Sequence, residues 1–228
     1  MKAVLGIICG LKSEAQALRV VQDTLGARIA VSGASSARAR AAAAQLARDG
    51  AQVLLSVGLA GGLAADLQPG ALLLPGHVVT PFGERIAADA QWLARLTEVC
   101  GAPSGRVVAG SDTAVTSPAG KRALAAAGAD VVDMETHSVA IAAREAGVPW
   151  AAIRAVADDH ATALPGWAMG LVREDGGIDD ARAALAILKA PWTLPLALRL
   201  ARANAKALAA LRGAAAALRD AAPEPAAQ

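Results

Sequence analysis

Tyrosine is absent from this 228-residue chain, and the other aromatics amount to four Trp and one Phe. Charge of one sign is also missing: 22 Lys and Arg against 20 Asp and Glu leave a formal net charge of +2, which argues against nucleic acid as the main partner. The two cysteines, Cys9 and Cys100, stand far apart in no ligand motif, so Cys9, in an apolar run, reads as a buried free thiol. His77, His137 and His160 are too dispersed for a metal site. No stretch of about eighteen apolar residues runs free of charge, so no membrane-spanning helix is expected. The first apolar run is broken by Gly6, Gly10 and Lys12 and reads as a strand rather than a secretory signal, which makes the cytoplasm the expected compartment. The glycines around Gly58 lack the G-x-G-x-x-G spacing of a dinucleotide fold, and no cofactor is expected.

What is present is a large apolar fraction, 55%, much of it alanine. Strand and helix signals alternate along most of the chain, which predicts an α/β fold: a central, mainly parallel sheet flanked by helices. Val131-Val132-Asp133-Met134-Glu135 reads as a buried strand turning straight into a helix that ends at Gly147. A second strand from Trp150 closes on Ala157-Asp158-Asp159. Both carboxylate positions are therefore expected at one edge of a parallel sheet, where open α/β sheets bind ligands. Glu14 follows the first strand in a first helical turn, either favouring the helix dipole or serving as a base at that edge. Ser32-Gly33-Ala34-Ser35-Ser36 opens a helix to Asp49; it is a good cap and a candidate anion site, with Arg38 and Arg40 nearby. The strand Val53 to Val57 is expected to end in a turn carrying Gly58, Gly61 and Gly62, through which backbone approaches a ligand. Thr80-Pro81-Phe82-Gly83 is a loop holding the only Phe.

After Asp159 the pattern changes. A loop or short lid runs to Gly177, followed by a helix to Lys189 and a longer one to about Asp220. On that last helix Leu196, Leu200, Ala203, Ala207, Leu211, Ala214 and Leu218 make one apolar stripe, with Arg199, Arg202 and Lys206 on its flank. Such a helix packs on its own core or on another subunit, or it lies on an anionic membrane; the expected membrane contact spans residues 192–219. The expected organisation is a catalytic domain over 1–176, a helical extension over 177–220 and a disordered tail over 221–228.

Glu14, the run Val57-Gly58-Leu59-Ala60-Gly61-Gly62-Leu63, Asp133-Met134-Glu135-Thr136 and Arg154-Ala155-Val156-Ala157-Asp158 together resemble the purine nucleoside phosphorylase and nucleosidase superfamily. The closest likeness is to its methylthioadenosine/S-adenosylhomocysteine nucleosidase branch, over roughly residues 2–160. The resemblance implies cleavage of an N-glycosidic bond in a homo-oligomer, a dimer being favoured. It makes Glu14 the water-activating carboxylate, Met134 and Glu135 the ribose-binding pair and Asp158, with Asp159 as the alternative, the acid that serves the purine. It gives Ser111, Asp112 and Val115 to the segment lining the base, and has Phe82 cover the 5′ substituent in a neighbouring subunit. Ser32, Gly33, Gly61, Gly62, Asp133 and Ala157 complete the expected base and nucleophile pocket.

The chain departs from that branch at Leu59 and Ala157, where the branch has Ser, and near Ala114, where it has an aromatic. The arginine that phosphorylases of the superfamily place at Ser56 is missing. Hydrolysis is therefore the expected chemistry, with phosphorolysis, taking phosphate as co-substrate, as the alternative; a nucleoside-binding, membrane-peripheral module without catalysis also stays open. The C-terminal third looks like the hopanoid-associated phosphorylases, which implies adenosylhopane as substrate, and is expected to have no counterpart in the short nucleosidases.

Overall fold

A computed structural model describes residues 4–221. The continuous apolar run at the start forms β1 (Leu5–Cys9), every residue of it buried. There follow α1 (Lys12–Ala17), α2 (Arg19–Leu25), β2 (Arg28–Val31), α3 (Ser36–Arg48) and β3 (Val53–Gly62). Next come β4 (Leu72–Val79), β5 (Arg85–Ala87), α4 (Ala90–Cys100), β6 (Ser104–Gly110), α5 (Pro118–Ala126) and β7 (Val131–Asp133). The chain continues through α6 (Thr136–Ala146), β8 (Trp150–Asp158), α7 (Gly166–Met169), α8 (Asp180–Lys189) and α9 (Leu194–Asp220). The tail expected from residue 221 onward lies outside the described residues after Ala221.

The strands form one mixed sheet, in the order β2-β1-β3-β7-β6-β4-β5, and β8 pairs with both β3 and β4. The path β3-β7-β6-β4-β8 thus returns to β3 and closes a five-stranded ring. Five pairings are parallel, and three, β3 with β7, β4 with β5 and β4 with β8, are antiparallel. Helices pack on both faces through alanine and leucine. Ala39 and Ala43 of α3 meet Val139, Ala140 and Ala143 of α6 in one apolar cluster, and Ala207, Leu211 and Ala214 of α9 join Leu55 and Ile153 in another. The stripe read from the last helix is its inward face, with Ala207, Leu211 and Ala214 buried and Leu196, Leu200, Ala203 and Leu218 half-buried.

Two local expectations change. The glycines after Val57 do not form a turn, because β3 runs on to Gly62. They are needed inside the strand for clearance: a Cβ on Gly58 would stand 2.7 Å from an Arg154 guanidinium nitrogen and 2.9 Å from Glu14 Oε1. The edge shared by Asp133 and Asp158 also has a different origin. β7 runs antiparallel to β3, with Val132 opposite Gly61, whereas β8 runs parallel to it, with Asp158 opposite Gly61. The two carboxylates meet because both strands flank the same point of β3, not because parallel strands end together.

Candidate active site

Around that point lies a cavity of about 250 Å³, with the carboxylates Glu14, Asp133, Glu135 and Asp158 on its polar side and Gly61 and Met134 among them. Leu59, Ala114, Val115, Ala157, Leu164 and Val172 supply an apolar side. No Lys or Arg is among its lining residues.

Glu14 reaches the cavity because α1 begins right after β1. Its Oε2 accepts hydrogen bonds from the backbone N–H of Gly10 at 2.7 Å and of Leu11 at 2.8 Å, and its Oε1 accepts one from Leu59 N–H at 2.8 Å. Burial raises its pKa, against the pull of those donors and of Arg154. A carboxylate offers about four lone-pair sites, so roughly one remains, on Oε1.

Glu135 stands at the N-cap of α6. Burial first, and then the neighbouring Asp133 charge, push its carboxyl up to about 8, while Arg154 opposes the rise. A Cβ on Gly10 would come within 2.8 Å of Glu135 Oε1, so glycine is needed there.

Arg154 is fully buried behind this wall, ion-paired with Asp133. It also donates to Thr136 Oγ1 at 2.7 Å and to Ser56 Oγ. Asp133 accepts in turn from Thr136 N–H at 3.1 Å. The second buried cation is Lys121 of α5, only 1% exposed, which pairs with Asp158 and donates to the Asp159 carbonyl at 2.6 Å. Burial raises the Asp158 pKa and Lys121 opposes the rise. Asp159 turns away from the cavity; it accepts from Ala161 N–H at 3.1 Å and Thr162 Oγ1 at 2.7 Å, and the Thr162 hydroxyl holds its pKa low.

Of the residues singled out from the sequence, Glu14, Gly61, Val115, Asp133, Met134, Glu135, Ala157 and Asp158 therefore share one cavity. Ser32, Gly33, Gly62, Ser111, Asp112 and Phe82 are not among its lining residues. Ser32 is fully buried, and a Cβ on Gly33 would lie 2.1 Å from the Glu174 carbonyl oxygen, so the chain itself covers this turn. Arg38 donates to the carbonyls of Ser32 at 2.6 Å and Gly33 at 2.9 Å and Arg40 pairs with Glu145, while Ala34 of the same turn lines the cavity. Gly62 packs against the Asp158 carbonyl, Ser111 Oγ donates to the Thr113 carbonyl at 2.6 Å, and Asp112 lies 3.3 Å from His137 Nε2. Phe82 is 95% exposed on the β4–β5 turn and borders a second depression that Asp112 and His137 also line.

Lys121 was passed over in the sequence, and Arg154 was named there only within a motif, with no role of its own. Arg154 stood visibly inside an apolar strand, between Ile153 and Ala155. Lys121 shares a helical face with Leu124 and Ala125, three and four residues on, and that spacing was the available signal. Among the described residues no group of three or more His, Cys, Asp or Glu is placed to hold a metal ion.

Comparison with solved structures places the fold. The 5′-methylthioadenosine/S-adenosylhomocysteine nucleosidase of Neisseria meningitidis, solved with methylthio-immucillin-A, superposes with a TM-score of 0.71 at 18% identity, over 96% of this chain and 98% of that one. The S-adenosylhomocysteine nucleosidase of Streptococcus pyogenes, solved with 5-methylthiotubericidin, gives 0.65 at 18% identity, over 98% and 99%. Futalosine hydrolase of Helicobacter pylori gives 0.62 at 21% identity, over 70% and 88%. The two wide spans take in the last helix, contrary to the expectation that the C-terminal third lies outside the nucleosidase fold. No curated protein matches. The sequence model of the phosphorylase superfamily matches residues 7–189, most of the chain, and the chain belongs to that superfamily.

Proposed function

We propose that this protein hydrolyses the N-glycosidic bond of a 5′-substituted adenosine and releases adenine. The observation that carries the reading is a cavity faced by four carboxylates, with its two cations buried behind the wall. Glu14 takes a proton from water as the water oxygen bonds to C1′. The C1′–N9 bond breaks and Asp158 gives its proton to N7, so adenine leaves neutral. Glu135 accepts hydrogen bonds from the ribose hydroxyls and steadies the positive charge that develops on the sugar, over a floor made by Met134. Phosphate as nucleophile would bring further negative charge against this wall, whose lining among the described residues holds no Lys or Arg. The apolar side of Leu59, Leu164 and Val172 suits a hydrophobic 5′ group, and adenosylhopane fits that description. Adenosine, methylthioadenosine and adenosylhopane incubated with and without phosphate test the reading. Free ribose-type sugar with phosphate-independent adenine release is expected; a sugar 1-phosphate would reassign the nucleophile, and no adenine from any of the three would end the enzyme reading.

The exposed Phe82 beside its uncovered depression suits a homodimer in which each copy covers the other, and sedimentation velocity reads that state directly. A second surface suits an anionic membrane. Ile178, Leu185, Leu188, Trp192, Leu194 and Leu198 are exposed, and no acidic residue lies between Asp180 and Asp220, while Lys189, Arg199 and Arg202 do. Because Ala207 to Ala215 pack on the core, the contact shifts from 192–219 to α8 and the start of α9. Among the described residues no single helix is long and apolar enough to cross a membrane; Asp180–Lys189 and Pro191–Asp220 reach that length and apolarity only as a pair bent by 113°. The packing of Ala207 to Ala215 on the core favours a peripheral contact. Wild type is expected to float with vesicles containing acidic lipid, and L188E/W192E to stay behind while cleaving soluble nucleosides normally. Equal flotation of the two proteins, or none by wild type, would remove the membrane from the reading.

A further inference from the structure

We propose that Lys121 is a positioning residue for the acid: it binds one oxygen of Asp158, turns the other towards the purine, and neutralises the carboxylate left after proton transfer. This rests on the reading of Asp158 as the proton donor. Three observations carry it. Lys121 is buried to 1% exposure on α5, behind the cavity wall, a place where an ammonium costs several kcal/mol unless it is paired. Its Nζ is held from two sides, by Asp158 Oδ2 and by the Asp159 carbonyl at 2.6 Å, so it has one position. Asp158 lines the cavity beside Gly61, and its Oδ1 has no hydrogen-bond partner among the described residues, whereas Oδ2 is taken by Lys121. The acid thus has one oxygen held by Lys121 and one left without a protein partner.

The charge balance follows. With its proton, Asp158 is neutral next to an ammonium; once the proton is on N7, a buried carboxylate remains, and Lys121 is the cation against it. Without Lys121 the same transfer would leave that carboxylate unpaired. The charged groups acting on Asp158 are Lys121 from α5 and Asp159 next in sequence, and the two act in opposite directions. Removing the ammonium therefore keeps Asp158 protonated to higher pH.

The test compares wild type, K121M, K121R, D158N and K121M/D158N on an adenosine substrate across pH. K121M is expected to lose about 100-fold in kcat with little change in KM. Its alkaline limb should move up by roughly one to three pH units, and its acid limb, set by Glu14, should stay. K121R should recover most of the rate, and K121M/D158N should be no slower than D158N. A folded K121M with the wild-type rate and limb would overturn the proposal, as would losses that multiply in the double variant. If K121M does not fold, K121R and the double variant, in which both partners of the pair are neutral, decide in the same way: multiplied losses, or a K121R no faster than D158N, overturn it. A wild type that releases no adenine overturns the reading of Asp158 and the proposal together, whereas an active wild type with an indifferent Lys121 overturns the proposal alone.

Discussion

Replacing Glu14 by glutamine is expected to cut adenine release by roughly 100- to 10,000-fold, the usual contribution of a general base. Two of its lone-pair sites are taken by Gly10 and Leu11 and a third by Leu59, which leaves one towards water. A glutamine can keep its oxygen where Oε2 now accepts two bonds, but its amide NH₂ then faces the Leu59 N–H. The variant should lose one hydrogen bond, worth about 1 kcal/mol, and stay folded. Nothing in this change touches the sugar hydroxyls, so KM should hold while kcat falls. Single-turnover rates with quantified adenine check it. A variant within a factor of about three of wild type would remove Glu14 from the chemistry, and release that survives only with phosphate present would make phosphate the nucleophile.

The second large effect is on stability. Arg154→Met should destabilise the fold by about 3–5 kcal/mol at neutral pH, because it strips the cation from Asp133 and leaves a buried charge unpaired. For a chain of this size that is a fall of roughly 10 °C or more in Tm. The loss should depend on pH. Burial pushes Glu135 up to about 8 in the fold against 4.5 for an ordinary glutamate, and Arg154, with the Met134 N–H, restrains the rise. Without it the folded state holds its protons more tightly still. A carboxyl whose folded pKa is raised favours the fold below its unfolded value, and that advantage is lost as pH climbs towards the folded value. The Tm deficit of R154M should therefore be smaller at pH 7 than at pH 10, because the two proteins differ in Glu135 protonation only above about 8. Differential scanning calorimetry across that range decides it, and a deficit that is flat or larger at the lower pH would refute the account.

Much of the site was legible in the sequence because strand ends announce themselves. Glu14, Asp133, Glu135 and Asp158 each follow an apolar run, and strand–helix alternation was enough to bring them to one region. What stayed hidden depended on contacts distant in sequence. Nothing near Gly33 says that the Glu174 carbonyl covers it. Gly58, Gly61 and Gly62 read as a turn, yet they serve clearance inside a long strand, against Arg154, Val132 and Asp158. Three-residue β5 carries one buried side chain between two exposed ones and is too short to show a period. Lys121, next to the exposed Arg122, looked like one more solvent charge in an alanine-rich helix.

The closed ring of strands has a consequence for how the protein is made. β8 is the last strand in the chain, yet it lies between β3 and β4 and pairs with both. Until it emerges, those two strands keep open edges, and open edges are sticky. The strand that closes the ring also delivers Arg154 and Asp158. Before it arrives, Asp133 lacks its counterion and Lys121 has no carboxylate to meet. Synthesis therefore runs through about two thirds of the chain with a half-built ring, and its closure sets both buried ion pairs at once, while Leu164 and Val172 reach the pocket only afterwards.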